Sequence, residues 1–156
     1  MKPHVSKSIK LCGFLLATGL ALTATAQSGN LYQSEVNRQL QLVEAAAAHE
    51  LGYALQPSHD TYYVNLKNNT YQDVRYTLEA GRTYVFVGAC DHDCSKMQLK
   101  LYDGYGELVD NSAQADLPAD LPIVAATVGR AGVFYLRVTM RGCHIEPCWA
   151  GVGAYN

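Results

Sequence analysis

The segment GACDHDCSKMQLKLYDGYGELVD, residues 88–110, holds the densest group of reactive side chains in the sequence. Cys90 and Cys94 flank an Asp-His-Asp triplet at 91–93, so thiols, carboxylates and an imidazole lie within five positions. Side chains of these types occur in metal sites, in thiol–disulfide catalysts and in turns that a disulfide closes. The choice among these three interpretations separates a catalyst from a binding module.

Calcium is one candidate ligand of this segment. Asp91 and Asp93 supply two carboxylates, and Asp103 and Asp110 follow on a predicted hairpin. Calcium takes six to eight oxygen ligands, and a dedicated calcium loop has a spaced Asp/Asn/Gly pattern that this segment lacks. The sequence therefore predicts no cofactor, with a low-affinity calcium site on these four aspartates as the alternative. Without calcium, the first two aspartates are expected to lie on an exposed turn.

A zinc site or a redox centre would require free thiols. The gaps inside the pairs Cys90/Cys94 and Cys143/Cys148 are three and four residues, wider than the two-residue gap common in structural zinc sites and in thiol–disulfide catalysts. An even number of cysteines in an exported chain indicates disulfides. Three pairings are open, and we favour the two local ones, because each closes a short loop between predicted strands.

Hydrolytic chemistry has little support in the sequence. No serine lies in a nucleophile-elbow motif, and HIEPC, residues 144–148, lacks the two histidines four residues apart of a metallopeptidase helix. We therefore predict that the chain is not an enzyme. The alternative is a small metal-assisted hydrolase that uses the acidic loop.

The first 26 residues have the features of a signal peptide. Lys2, Lys7 and Lys10 precede the apolar run LCGFLLATGLAL, and ATA at 24–26 offers small residues for a cleavage site. The run is shorter than the roughly 20 apolar residues that cross a bilayer. We expect a mature chain that begins near Gln27, has no transmembrane segment and is periplasmic or secreted.

Charge argues against a nucleic-acid partner. Without the three leader lysines, 9 basic residues remain against 14 acidic ones, a net charge near −5. Nucleic acids and anionic lipids favour clustered Lys and Arg, and no such cluster is visible along the chain. We predict a protein or glycan surface as the partner.

The segment after the leader has a helical period. Ser34 is predicted to cap the start of this helix, and Pro57 breaks the helical period. The predicted domains are therefore a helix with linker at 27–57 and a β-domain at 58–156. An alternative function for the apolar stripe is self-assembly of a structural envelope protein. The stripe consists of Val36, Leu40, Val43, Ala47, Leu51 and Leu55.

From Thr61 onward the period changes to two. Short segments rich in β-branched and aromatic residues alternate with turn formers such as KNNT, EAGR and DGYG. Seven or eight strands without intervening helices predict an antiparallel sandwich in which one face of each sheet is solvated. The inward residues of two strands are predicted to be Met97, Leu99 and Leu101, and Phe134, Leu136, Val138 and Met140.

Tyrosine is unusually frequent. All 11 tyrosines follow the leader, and four of them are predicted to point outward or to lie in turns: Tyr63, Tyr102, Tyr105 and Tyr135. Exposed aromatic rings bury a large area at small entropic cost when a protein or glycan binds, although cross-strand tyrosines also stabilise sheets by themselves. These four residues form the candidate binding face.

Three motifs follow one another along the β-region: LEAGRTYVFVGA, LKLYDGYGELVD and GVFYLRV. The residues that carry them are Gly81, Tyr84, Leu99, Leu101, Tyr102, Asp103, Gly106, Val109, Gly132, Phe134 and Val138. This arrangement, from about Leu78 to Tyr155, resembles the bacterial pre-peptidase C-terminal domain family, whose members often have an acidic residue where this chain has Gln98. The resemblance implies a jelly-roll-like β-sandwich that serves exported enzymes as a non-catalytic accessory domain. The predicted fold is therefore mainly β, an antiparallel jelly-roll-like sandwich preceded by one N-terminal α-helix.

Overall fold

The computed structural model describes residues 25–52, 54–112, 115–116 and 122–156. The predicted signal peptide, residues 1–26, lies outside these residues except for its last two positions. Within the described residues, no helix is long and apolar enough to cross a membrane. The elements are α1 (Thr25–Leu51), β1 (Pro57–Leu66), β2 (Tyr71–Leu78), β3 (Thr83–Cys90), β4 (Cys94–Asp103), β5 (Leu108–Asn111), β6 (Ala115–Asp116), β7 (Ile123–Thr127), β8 (Gly132–Cys143) and β9 (Cys148–Tyr155).

The strands form two antiparallel sheets that pack face to face. One sheet has the order β1-β9-β3-β7, and the other has the order β2-β8-β4-β5 with the short β6 paired to β4. Apart from the β4–β5 hairpin and the short β6, successive strands alternate between the two sheets. This connectivity is that of a jelly roll. The predicted β-sandwich with an N-terminal helix is confirmed.

The main core lies between the sheets and contains the residues that the alternating pattern assigned to it. All seven predicted inward residues of β4 and β8 are buried. Phe86 and Val124 meet them from the opposite sheet, and the Phe86 ring lies 5.0 Å from the Tyr76 ring, centroid to centroid. Side chains from two inner faces interdigitate in this way in packed sandwiches.

Helix α1 covers the outer face of the β1-β9-β3-β7 sheet, which we call the helix-covered sheet. Its stripe residues Val36, Leu40 and Val43 are buried in a second apolar cluster with Val85 and Val87 of β3. The prediction that one face of each sheet is solvated is therefore wrong for this sheet. The physical reason is visible in β3, TYVFVGAC, which is a continuous apolar run instead of an alternating one and is buried on both faces.

The predicted helix start is also wrong. The helix begins at Thr25, and Ser34 lies inside it, where its hydroxyl donates to the carbonyl of Leu31 at 2.8 Å. A serine inside a helix makes this backward bond in place of a cap. The helix ends before Gly52, whose φ of 75° is the left-handed conformation favoured at helix ends.

Candidate binding face

The two local cysteine pairings are present in the structure. Cys90 is bonded to Cys94 with an S–S distance of 2.01 Å, and Cys143 to Cys148 with 2.06 Å. Because Cys94 and Cys143 are register partners on β4 and β8, both disulfides lie at the same end of the sandwich. All four cysteines are in disulfides, so none of them provides a free thiolate for a zinc site or for a thiol–disulfide catalyst. Two disulfides are consistent with an oxidising compartment.

The four candidate calcium ligands are not brought together. Asp91 and Asp93 precede β4 and Asp103 ends it, so they are separated by the length of a ten-residue strand, about 30 Å. Asp103 accepts hydrogen bonds from the amides of Tyr105 and Glu107, both at 2.9 Å, and so shapes the β4–β5 turn. The carboxylate of Asp110 accepts from the amide of Ala125 on β7 at 3.0 Å.

Metal-ligating side chains are also not clustered elsewhere in the part of the chain that the structure describes. Within those residues, no group of three or more His, Cys, Asp or Glu side chains is arranged to hold a metal ion. The carboxylates of Asp91, Asp103 and Asp110 accept hydrogen bonds from backbone amides, and that of Asp93 lies 3.4 Å from the His92 ring.

Asp91 is a buried structural residue, contrary to the prediction of an exposed turn. The residue is 3% exposed. Its Oδ2 accepts a hydrogen bond from the Trp149 amide at 2.8 Å, and its own amide donates to the Trp149 carbonyl at 3.0 Å. These bonds tie the disulfide loop to β9. Burial raises the pKa of Asp91 because desolvation disfavours the charged carboxylate.

His92 joins the same loop to the helix. Its Nδ1 lies 3.1 Å from a carboxylate oxygen of Glu35 on α1, and its Nε2 lies 3.4 Å from Asp93. The hydrogen bond with Glu35, together with the charges of Asp93 and Asp91, raises the pKa of the imidazole above its ordinary value of 6.5. His144 lines the adjacent pocket between the helix and the loop.

We expect His92 to stabilise the fold in its protonated form. Because the pKa is raised on folding, this stabilisation is present below about pH 6.5 and is lost as the pH rises through the folded-state pKa. The difference in Tm between the wild type and His92→Gln should therefore be larger at about pH 5.5 than at about pH 8.5. The effect should be small, since exposed ion pairs contribute little.

The measurement is a thermal melt followed by circular dichroism at both pH values. His144→Gln is the matched control, because His144 is an exposed histidine on the neighbouring loop, and Glu35→Gln should reproduce the effect of the His92 variant. An equal Tm difference at both pH values would show that protonation of His92 does not hold the helix to the loop.

The four predicted binding tyrosines fall into three different places. Tyr63 lies on the helix-covered sheet, where its hydroxyl donates to Asn37 of α1. Tyr105 lies in the β4–β5 turn and is 85% exposed. Tyr102 and Tyr135 are direct cross-strand partners on β4 and β8, so only these two are brought together on a sheet face.

The outer face of the β2-β8-β4-β5 sheet is built from alternating outward residues. We call it the tyrosine–arginine face and define it by the outward side chains at 71–77, 98–102 and 133–141. Tyr71 belongs to it but was not among the predicted binding tyrosines. The alternation in YQDVRYTL already places Tyr71, Asp73 and Arg75 opposite the buried Val74 and Tyr76. The signal was present, but it did not show which strand lies beside β2.

Arg137 organises the tyrosine–arginine face. Its Nε and Nη2 each donate to a different oxygen of Asp73 at 2.8 Å, which is a bidentate ion pair. Its guanidinium carbon lies 3.9 Å from the centroid of the Tyr71 ring and 5.3 Å from that of Tyr102. Ion pairing with Asp73 raises the pKa of Arg137, so this charge is permanent. The cation–π contacts hold the two rings in place.

Concave regions of the described residues lie elsewhere on the molecule. A groove of 680 Å³ runs between the β4–β5 and β7–β8 turns, and a pocket of 530 Å³ lies between α1 and the disulfide loop. Neither has a described ion pair flanked by tyrosine rings, as the tyrosine–arginine face does. Comparison with known family models and with curated proteins gives no match for this chain.

Proposed function

We propose that this protein is an exported, non-catalytic binding module that recognises a polysaccharide through the tyrosine–arginine face. The observation that carries the proposal is the arrangement of Tyr71, Tyr102 and Tyr135 on one solvated sheet face, with Arg137 between two of the rings. Ring faces of tyrosine present large apolar area with few rotatable bonds, and the hydroxyl groups add polar contacts. A sugar ring offers the complementary apolar face and rim of hydroxyls.

Export is supported by the leader features of residues 1–26 and by the two disulfides. The resemblance to the pre-peptidase C-terminal domain family supports an accessory role, and the jelly-roll strand order agrees with the fold that this resemblance implies. In this proposal the module holds a glycan surface on behalf of an exported enzyme or assembly.

The two alternative functions have weaker support. A metal-assisted hydrolase would need its acidic residues in one place, and the four candidate aspartates are dispersed over both ends of β4. Self-assembly through the helical stripe would need that stripe to be accessible, and its residues Val36, Leu40, Val43 and Ala47 are buried against the helix-covered sheet.

The test is affinity electrophoresis through gels that contain neutral or acidic polysaccharides. Tyr102→Ala combined with Tyr135→Ala should weaken retention by the bound glycan about tenfold or more, since each stacked ring is worth about 0.5–1.5 kcal/mol. Tyr105→Ala is the matched control, because Tyr105 is an exposed tyrosine in the turn and has no contact with Arg137 among those described. Circular dichroism should show the fold retained in all variants.

Two results would contradict this function. One is the absence of retention of the wild type by every neutral and acidic polysaccharide in the series. The other is retention that the Tyr102/Tyr135 double variant leaves unchanged, which would move the binding site away from the tyrosine–arginine face.

A further inference from the structure

The tyrosine–arginine face carries positive charge although the whole chain does not. Its cationic side chains are Arg75, Lys100, Arg137 and Arg141, and its anionic side chain within the defined positions is Asp73. Four cations and one anion leave three positive charges on this face, whereas the chain has a net charge of −2. The basic residues are dispersed along the sequence and are collected by strand pairing.

The cations on this face are incompletely balanced. Lys100 and Arg137 are direct cross-strand partners on β4 and β8, and like charges in opposite positions on a sheet destabilise it. Asp73 pairs with Arg137 and neutralises only one of the two charges. An anionic group above Lys100 and Arg137 would relieve the remaining repulsion.

The spacing of the cations favours a polymer over a small anion. β2 and β4 lie on either side of β8, so Arg75 and Lys100 are carried by strands two spacings apart, about 10 Å. Tyr135, opposite Arg75, and Tyr102, opposite Tyr135, lie on the row that connects these strands. The next row is Asp73, Arg137 and Lys100, so a ligand that reaches both Arg75 and Lys100 crosses β8 between Tyr135 and Arg137.

On this basis we propose that the ligand is an acidic polysaccharide, in which uronate units place their ring faces on the tyrosines and their carboxylates on the cations. This inference rests on the binding function proposed above and names the chemical class of its ligand. A uronate unit combines an apolar ring face with a carboxylate that Arg and Lys bind by charge-assisted hydrogen bonds. The alternation of rings and cations on the face matches that combination.

A single-stranded nucleic acid also combines flat rings with repeated negative charge. The two disulfides are consistent with an oxidising compartment, and the proposed export would separate this face from cytoplasmic nucleic acids. The acidic glycan is therefore the better match, and binding of single-stranded DNA becomes one outcome of the test.

The experiment compares polygalacturonate with highly methyl-esterified pectin, which has the same sugar backbone with its carboxylates neutralised. We expect the wild type to bind polygalacturonate about tenfold or more tightly than the ester, and to lose most of this preference as NaCl rises from about 50 mM to about 500 mM, because salt screens exposed charges. Kd values from affinity electrophoresis give both comparisons.

Charge variants localise the effect. Arg75→Gln with Lys100→Gln should weaken polygalacturonate binding about tenfold and leave binding of the ester unchanged. Lys67→Gln with Arg130→Gln is the matched control: it changes the net charge equally at two exposed turn positions outside the face, and it should leave both affinities unchanged.

The outcomes separate this inference from the proposed function. Equal affinity for both polymers, or no effect of the Arg75/Lys100 double variant, would overturn the acidic-glycan assignment while tyrosine-dependent binding of the ester would still support the binding function. Tighter binding of single-stranded DNA than of polygalacturonate would also overturn the assignment. Failure to bind either polymer would overturn the acidic-glycan assignment, while tyrosine-dependent retention by a neutral polysaccharide in the electrophoresis series would still support the binding function.

Discussion

Replacing Gly151 with valine is expected to lower the free energy of unfolding by about 3 kcal/mol, the upper part of the range for overpacking a buried site. Gly151 lies on β9 beneath the helix, and a Cβ atom there would lie 2.6 Å from Val36 Cγ1 and 3.2 Å from Leu40 Cδ1. Both helix residues are buried, so neither side chain has free space to move into. The helix would have to shift away from the sheet.

Urea denaturation followed by circular dichroism measures this loss. Gly132→Val is the matched control, because Gly132 is also a strand glycine but a Cβ there has no atom within 4 Å; its effect should stay within about 0.5 kcal/mol. Val36→Ala removes the atom that clashes, so the double variant Val36→Ala/Gly151→Val should be more stable than the sum of the single changes predicts. Strict additivity would show that Gly151 does not set the distance between helix and sheet.

Replacing Phe86 with alanine is expected to lower the free energy of unfolding by about 4 kcal/mol, since large-to-small changes of buried aromatic residues cost about 3–5 kcal/mol. Phe86 is fully buried at the centre of the main core, and its ring packs against that of Tyr76. The Tyr76 hydroxyl is itself buried without a partner among the described residues, and burial raises its pKa. The cavity left by Phe86 would lie against the Tyr76 ring, whose other described ring contact is with His59 at 5.1 Å between centroids.

The same denaturation experiment tests this change. Phe86→Leu keeps most of the apolar volume and should cost less than about 1.5 kcal/mol, while Tyr135→Ala on the solvated face should cost much less than Phe86→Ala. Because small domains have about 5–15 kcal/mol of total stability, the alanine variant should remain folded at low temperature with a clearly lower urea midpoint. A loss below about 1 kcal/mol would contradict the placement of Phe86 at the centre of the core.

The sequence by itself determined the features that depend on neighbours along the chain. The period of two in MQLKLYD and GVFYLRVTM identified the inward residues, because successive side chains of a strand point to opposite faces. The stripe at Val36, Leu40 and Val43 identified the helix and its buried side. The short loops between Cys90 and Cys94 and between Cys143 and Cys148 favoured the local disulfides, which are the ones present.

Other features were readable only in part. The continuous apolar run of β3 indicated that a second layer covers this strand. The run alone does not identify the covering element, which is helix α1. The sequence establishes the net charge of the chain but not how the charges are arranged on its surface. The absence of a basic cluster along the chain did not exclude one on the sheet. Arg75, Lys100 and Arg137 are far apart in sequence and near one another on the tyrosine–arginine face.

The tertiary structure alone decided which of the reactive residues meet. Strand pairing brings Tyr102 to Tyr135 and Asp73 to Arg137, while the length of β4 keeps Asp91 far from Asp103. Alternation along a strand sets the face on which a side chain lies, but the register and order of strands set its neighbours. Register and order depend on packing between segments distant in sequence, and so the tyrosine–arginine face exists only once β2, β8 and β4 are paired in the folded sheet.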